Sequence, residues 1–434
     1  MSKLILYRET GKLSRSIGLV FEGYLPGATL GSMVQISQGS NSIEAEVVGF
    51  KDKKVMLMPL NDAHGLGSSS RIFLSQIEAT IPVGDFLLGR VIDGKGIPID
   101  EKGDLLGGKK TSDRRGIYAT SINPLEREMI SKPLDLGIRA LNGLLTCGKG
   151  QRMGIMAGSG VGKSVLLGMM AKNTNADVNV IALIGERGRE VREFIEKDLG
   201  PEGLARSVLV VATSDKSPLL RMRGAFIATA IAEYFCEQGK DVLLMMDSIT
   251  RFAMAQREIG LSLGEPPASK GYTPSVFSML PKLLERAGTR KGAGSITGLY
   301  TVLVEGDDMD EPIADSARSI LDGHIVLSRA LANRNHYPAI DVLSSVSRVM
   351  PAVTSLDQQR VAAEVKDLLA TYAANEDLIN IGAYVKGSNS KLDQAIAVNE
   401  RLRIYLKQAV DEKANLQESF LQLQGLMRSL KGAG

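Results

Sequence analysis

A chain of 434 residues, 44% of them hydrophobic, has the length of about three domains and enough apolar content to bury a good core, which excludes a disordered or fibrous protein. Its 52 basic and 49 acidic residues leave a formal charge of +3, too balanced for an electrostatic nucleic-acid surface, so no nucleic-acid partner is expected. Cys147 and Cys236 lie far apart without metal-ligand spacing, and no apolar run approaches the roughly 18 residues of a membrane span; free thiols and a cytosolic setting are expected.

The opening Met1–Arg8 has too short an apolar core for a signal peptide. Short apolar stretches then follow at Ile17–Tyr24, Ser32–Ile36, Ile43–Phe50, Val55–Leu60 and Arg71–Ile81, separated by turn residues such as Pro26-Gly27 and Gly39-Ser40-Asn41. That spacing predicts a small all-β barrel or sandwich within residues 1–90. A Gly-, Asp- and Lys-rich tract from Asp93 to Lys110 reads as a linker. From about residue 150 the rhythm changes: runs at Met153–Met156, Val178–Ile184, Ser207–Ala212, Val242–Met246, Leu299–Val304 and His324–Leu327 alternate with helical patterns. This is the signature of a parallel sheet covered by helices, in a multidomain α/β chain.

Ala157-Gly158-Ser159-Gly160-Val161-Gly162-Lys163-Ser164 falls between the first of those runs and a helical pattern over Val165–Lys172. A glycine-rich turn ending in Gly-Lys-Ser at a helix N-terminus wraps backbone N–H groups around phosphates and points to a nucleoside triphosphate. Gly158 through Val165 are the expected nucleotide contacts, with Ala157 standing where a glycine is usual. Lys163 is placed to neutralise the β- and γ-phosphates, and the Ser164 hydroxyl to coordinate Mg2+.

Glu186 ends the run Val180–Gly185, at the carboxyl edge of a predicted strand, where it could polarise an attacking water. The charge-dense Arg187–Glu193 reads as a solvated first helical turn, which makes Glu190 and Glu193 poorer candidates. A helix is predicted from Pro218, capped by Ser217 and closed by Gly239, with Leu220, Gly224, Ile227, Ile231 and Phe235 on its buried stripe and Cys236 beside it. Asp247 closes the run Val242–Met246 and is the expected Walker B acid; an ordinary helix N-cap is the bland alternative. The acidic Glu305–Pro312 reads as an exposed loop rather than a cation site. His64, His324 and His336 lack the spacing or acid partners of a catalytic set. Residues 351–434 read as a helical domain, with Leu402, Leu406 and Val410, then Leu416, Phe420, Leu423, Met427 and Leu430, recurring at three- and four-residue steps.

Three segments carry a resemblance: Gly185–Glu190, Met246–Phe252 and Pro338–Arg348. Together they resemble the rotary ATPase catalytic-subunit superfamily. Within it, Glu265–Phe277, Leu284–Gly288 and Ile320–Arg329 resemble the export ATPases of flagella and their injectisome relatives, and the phosphate loop looks more like the flagellar branch. The likeness runs through nearly the whole chain, most strongly from about residue 90 to 350.

This resemblance implies an N-terminal β-barrel over residues 1–90, a RecA-like P-loop domain with its leading linker over 91–350, and the C-terminal helical domain over 351–434. It implies Mg-dependent ATP hydrolysis in a homohexameric ring, with the Glu305–Pro312 loop facing the central shaft. Glu186 then corresponds to the water-activating carboxylate, Arg187 to a neighbour on the γ-phosphate side, Asp247 to the Walker B acid and Tyr337 to the aromatic that stacks on adenine. Arg348 corresponds to a finger that reaches a neighbouring subunit's nucleotide. The implied partners are export-apparatus stator and central-stalk proteins, substrate–chaperone complexes and a membrane export gate, which sets the chain peripherally at the inner face of the cytoplasmic membrane. An injectisome ATPase and a catalytic subunit of an ATP synthase are the nearest rivals; an RNA translocase and a non-catalytic ring subunit are more distant.

Overall fold

The computed structural model describes residues 10–108, 113–304, 306 and 308–431, so the Met1–Arg8 stretch lies outside the described residues, as do Glu305, Asp307 and the Leu430 side chain. The first six strands, β1 (Thr10–Ile17), β2 (Val20–Tyr24), β3 (Met33–Gln38), β4 (Asn41–Lys51), β5 (Lys54–Pro59) and β6 (Arg71–Gln76), close into a barrel in the order β1-β2-β5-β4-β3-β6. The stretch Ile17–Tyr24, expected as one strand, is divided: Gly18 takes a φ of +56° and turns the chain, pairing Ile17 with Val20 across a two-residue hairpin. Val34, Ile36, Ala45, Leu57 and Ile72 alternate inward and fill the barrel.

The central sheet has β7 (Val91–Asp93), β8 (Arg152–Ala157), β9 (Val178–Ile184), β10 (Ser207–Ala212), β11 (Asp241–Asp247), β12 (Ser295–Leu303), β13 (Gly323–Leu327) and β14 (Ile340–Ser347). Their order is β14-β13-β8-β12-β11-β9-β10-β7, with β14 antiparallel to β13 and the other neighbours along this path parallel. The tract expected as a linker therefore begins inside the sheet. Three residues are too few to show a period, but Val91 and Ile92 are buried, and Asp93 then accepts from the amides of Lys95 and Ile97 to form the turn that its composition encodes.

Strands buried on both faces explain the long apolar runs. Val180, Ala182 and Ile184 face one core, while Ile181 and Leu183 between them face another. The first core is covered by α2 (Pro218–Glu237), whose N-cap Ser217 accepts from the Leu220 amide at 3.3 Å and donates to the barrel carbonyl of Leu60 at 3.1 Å. Gly239 follows the helix with a φ of +80°. Cys236 is buried in that core, and burial raises its thiol to about 11, so it packs as a protonated apolar group. The opposite core is covered by α1 (Lys163–Asn173) and reaches into the C-terminal helices.

One motif of the sequence proves to be internal scaffolding. Arg286 is fully buried and holds Glu233 through two 2.7 Å bonds, and Arg115 reaches the same carboxylate at 3.1 Å. Loss of Glu233 would leave the buried Arg286 guanidinium without its counter-ion.

The C-terminal region contains α4 (Leu356–Asn380), α5 (Ser390–Leu406) and α6 (Leu416–Lys431). A capping box between Ser355 and Gln358 starts α4. Leu402, Leu406, Leu423 and Met427 join the core that also holds α1, whereas Val410 stands half-exposed between α5 and α6.

Candidate active site

Strand β8 delivers the chain to the phosphate loop, and α1 carries it away. Gly160 and Gly162 adopt φ values of +76° and +86°, conformations that L side chains rarely take. They curl the backbone into a tight turn that ends at the positive N-terminus of α1. Ala157 is still in the sheet, paired with Leu303 and Leu327, and its buried methyl fits an extended backbone. The substitution of alanine for the usual glycine is therefore accommodated.

Asp247 and Glu186 arrive from neighbouring strands, one at the end of β11 and the other two residues past β9. The Lys163 ammonium pairs with Asp247 Oδ1 and lies 3.5 Å from Glu186 Oε1. Ser164, Glu186, Glu190 and Asp247 line one small cavity, closed by Leu183, Val191 and Phe194. Asp247 also accepts a 2.6 Å hydrogen bond from Thr301 Oγ1 on β12. Ser248, the next residue, supplies the N-cap of α3 (Ile249–Ser262), accepting from the Arg251 amide. The capping role considered for Asp247 thus belongs to its neighbour, and the Asp247 carboxylate is free to face the loop.

The electrostatics are coupled. Burial and the adjoining Asp247 raise the Glu186 carboxyl to about 7, with Lys163 opposing and a hydrogen bond donated by the protonated Glu186 to the Glu190 carboxylate adding to the rise. Burial alone would lower the Lys163 ammonium, but the carboxylates of Asp247 and Glu186 outweigh it and hold the pKa above its ordinary value. A carboxyl poised near neutrality beside a lysine ammonium is suited to handling a proton on water.

Other predicted residues separate by position. Arg187 is exposed and 3.6 Å from Glu190, so the structure brings Glu190 into the site that sequence reasoning had set aside and leaves Arg187 at its mouth. Tyr337 sits against the loop: a Cβ on Gly162 would come within 3.2 Å of its ring. The same tyrosine borders an 860 Å³ groove shared with Arg139 and with Tyr405, Gln422 and Leu426 of the helical region. His336 is buried and held near 4 by burial, Lys407 and Arg403, hence neutral. Among the acidic-loop residues described, Asp308 pairs with Lys270 at 3.0 Å and Glu311 caps the helix Pro312–Ile320.

Arg348 is absent from this cluster. It follows β14, whose end pairs Ser347 with Gly323 at the start of β13, whereas the phosphate loop adjoins the other end, where Leu327 pairs with Ala157. Four strand steps, about 13 Å, separate those edges. Its exposed guanidinium rests 3.2 and 3.4 Å from the carbonyls of Leu321 and Arg318.

Two residues escaped sequence reasoning. Arg251 packs its side chain over Gly185, where a Cβ would meet it at 2.8 Å, and so lies beside Glu186. Its spacing four residues beyond Asp247 was the available signal. Thr301 is a hydroxyl in an apolar strand and gave no motif.

Residues 137–347 match the family model described as ATP synthase alpha/beta family, nucleotide-binding domain, and residues 354–425 match that of the T3SS EscN ATPase C-terminal domain. The chain is 52% identical over 423 residues to the flagellum-specific ATP synthase of Bacillus subtilis, covering 97% of this chain and 95% of that one. It is similar to the assembled ATPase EscN of the enteropathogenic E. coli type III secretion system, with a TM-score of 0.90 at 47% identity over 96% of this chain and 99% of that one. EscN in complex with its central stalk EscO gives a TM-score of 0.88 at 46% identity, over 96% and 99% of the two chains.

Proposed function

This chain belongs to the ATP synthase alpha/beta family, in its flagellar and type III secretion ATPase branch, and from that premise we propose that it hydrolyses ATP in a homohexameric ring to energise or regulate bacterial flagellar protein export. The observation that carries the chemistry is the convergence of Ser164, Glu186 and Asp247 on one cavity, with the Lys163 ammonium held against both of its carboxylates, Glu186 and Asp247. Residues 1–90 tie subunits together, 91–350 bind and cleave the nucleotide, and 351–434 meet the partners.

In this reading the amides of Gly158 to Val165 cradle the phosphates, and Lys163 exchanges Asp247 for the β- and γ-phosphate oxygens. Tyr337 stacks on adenine beside the groove. Glu186 orients the attacking water and accepts its proton, while Arg187 flanks the γ-phosphate side. A hydroxyl and a carboxylate are the hard oxygen donors that Mg2+ prefers, and Ser164 and Asp247 present both in one cavity, so these two residues would hold it. Bound there, Mg2+ would neutralise charge on the phosphates. The neighbouring copy supplies Arg348.

The partners follow from the same membership: a central stalk, as in the EscN–EscO complex, a peripheral stator, substrate–chaperone complexes and a membrane export gate. Among the described residues no helix is long and apolar enough to cross a membrane, which accords with peripheral docking at the cytoplasmic face.

Tyr337→Ala should raise the Kd for ATP about ten-fold or more and leave kcat within a few-fold, because base stacking contributes to binding rather than to bond cleavage. Equilibrium binding and steady-state kinetics check this together. The assembly claim is tested by dilution. Specific ATPase activity should rise with protein concentration as rings form, in parallel with the sedimentation coefficient; constant activity across that range would mean that single copies are competent.

A further inference from the structure

We infer that Thr301 is a positioning residue that holds the plane of the Asp247 carboxylate ready for the metal. The inference rests on the metal-binding role given to Asp247 above. Thr301 is fully buried on β12, flanked by Tyr300 and Val302, which enter the core under α2. A hydroxyl at such a place costs stability unless it is bonded. It carries one proton, and two acceptors are in reach: the Met246 carbonyl at 3.3 Å and Asp247 Oδ1 at 2.6 Å. The shorter, charge-assisted bond to the carboxylate takes the proton.

The strand that bears Thr301 is itself tied to the site. Tyr300 pairs with Met246 in the parallel ladder, so one step further along that register Thr301 stands opposite Asp247, and two residues on, the Leu303 amide donates to Thr250 Oγ1 in the first turn of α3 at 2.9 Å. Strand β12 and the β11–α3 turn are thus linked on both sides of Asp247. Two groups hold Oδ1 here, the Lys163 ammonium and the Thr301 hydroxyl. When Lys163 turns to the β- and γ-phosphates, Asp247 loses its cation, and Thr301 is the partner that stays. A carboxylate kept in one plane binds a metal without first surrendering rotational freedom.

The test compares Thr301→Val, which keeps the shape and loses the donor, with Thr301→Ser, which keeps the donor. The affinity for a trinitrophenyl-ATP probe is measured in EDTA and in Mg2+, together with kcat and the thermal midpoint. Thr301→Val should keep the EDTA affinity and lose the Mg2+-dependent gain by about ten-fold, with a similar fall in kcat, as expected for a bond to a charged group. Thr301→Ser should restore most of both. Thr301→Ala repeats the donor-free test in case valine prevents folding. Equal loss in EDTA and Mg2+ would reduce Thr301 to a structural role, and an unchanged gain would remove it altogether; either result overturns the inference. Asp247→Asn, run alongside, separates the two claims: if it keeps the full gain, the metal role of Asp247 fails independently of Thr301.

Discussion

Glu186→Gln should bind Mg·ATP with near-native affinity and release phosphate about 10²–10⁴ times more slowly, the range that general-base catalysis typically supplies. The substitution keeps size and hydrogen-bonding reach and removes the ability to take a proton. It also removes an anion beside Asp247, where burial and mutual repulsion already raise the carboxyl to about 7, so binding of the polyanionic nucleotide should not suffer. Lys163 retains its pair with Asp247 in the empty enzyme. Single-turnover phosphate release measured beside equilibrium ATP binding reads the two effects separately. An unchanged rate would take Glu186 out of the water-handling role and turn attention to Glu190, the other carboxylate of the cavity that could reach a water.

Arg348→Ala should lower kcat by roughly 10³–10⁵, the usual worth of an arginine delivered to a transferring phosphoryl group. The loss should occur although Arg348 lies at the edge of the sheet opposite its own phosphate loop. That position makes a distinctive demand. Mixed with Lys163→Ala chains, Arg348→Ala chains should recover part of the activity. At some interfaces an intact phosphate loop then meets an intact finger. If mixing is verified by mass and no activity returns, the arginine does not act in trans.

The features most legible in the sequence were those buried on two faces or held by special backbone. Strand β9 was read to the residue, Val178–Ile184, since every position in it is buried and the run needs no period to be seen. The cap, proline and closing glycine of α2 marked that helix in the same way, through local chemistry that acts before any tertiary contact. Lys163 and Ser164 were legible from the Gly-Lys-Ser turn, and Glu186 and Asp247 lie beside them because a parallel sheet gathers the carboxyl ends of its strands at one edge.

What was missed depended on tertiary partners. Strand β7 is three residues long and pairs with β10 more than a hundred residues away. Strand β14 is an edge strand with alternating exposure, and its polar positions mask the pattern. Glu190 belonged to a run of charges that looked solvated; only the approach of the helix Gly188–Glu193 to Ser164 and Asp247 turns that side chain inward. Thr301 acts across the sheet on a residue 54 positions away, a relation that no spacing along the chain encodes.

The central claim is that two adjacent copies enclose one nucleotide, and the most direct measurement is a structure of the assembled ring with a non-hydrolysable Mg·ATP analogue. The guanidinium of Arg348 from one copy should lie within hydrogen-bond distance of the terminal phosphate held by Lys163 of the next, with Glu186 of that second copy facing the water position. A ring in which the terminal phosphate is contacted by a single copy alone, with Arg348 still on the carbonyls of Leu321 and Arg318, would contradict it.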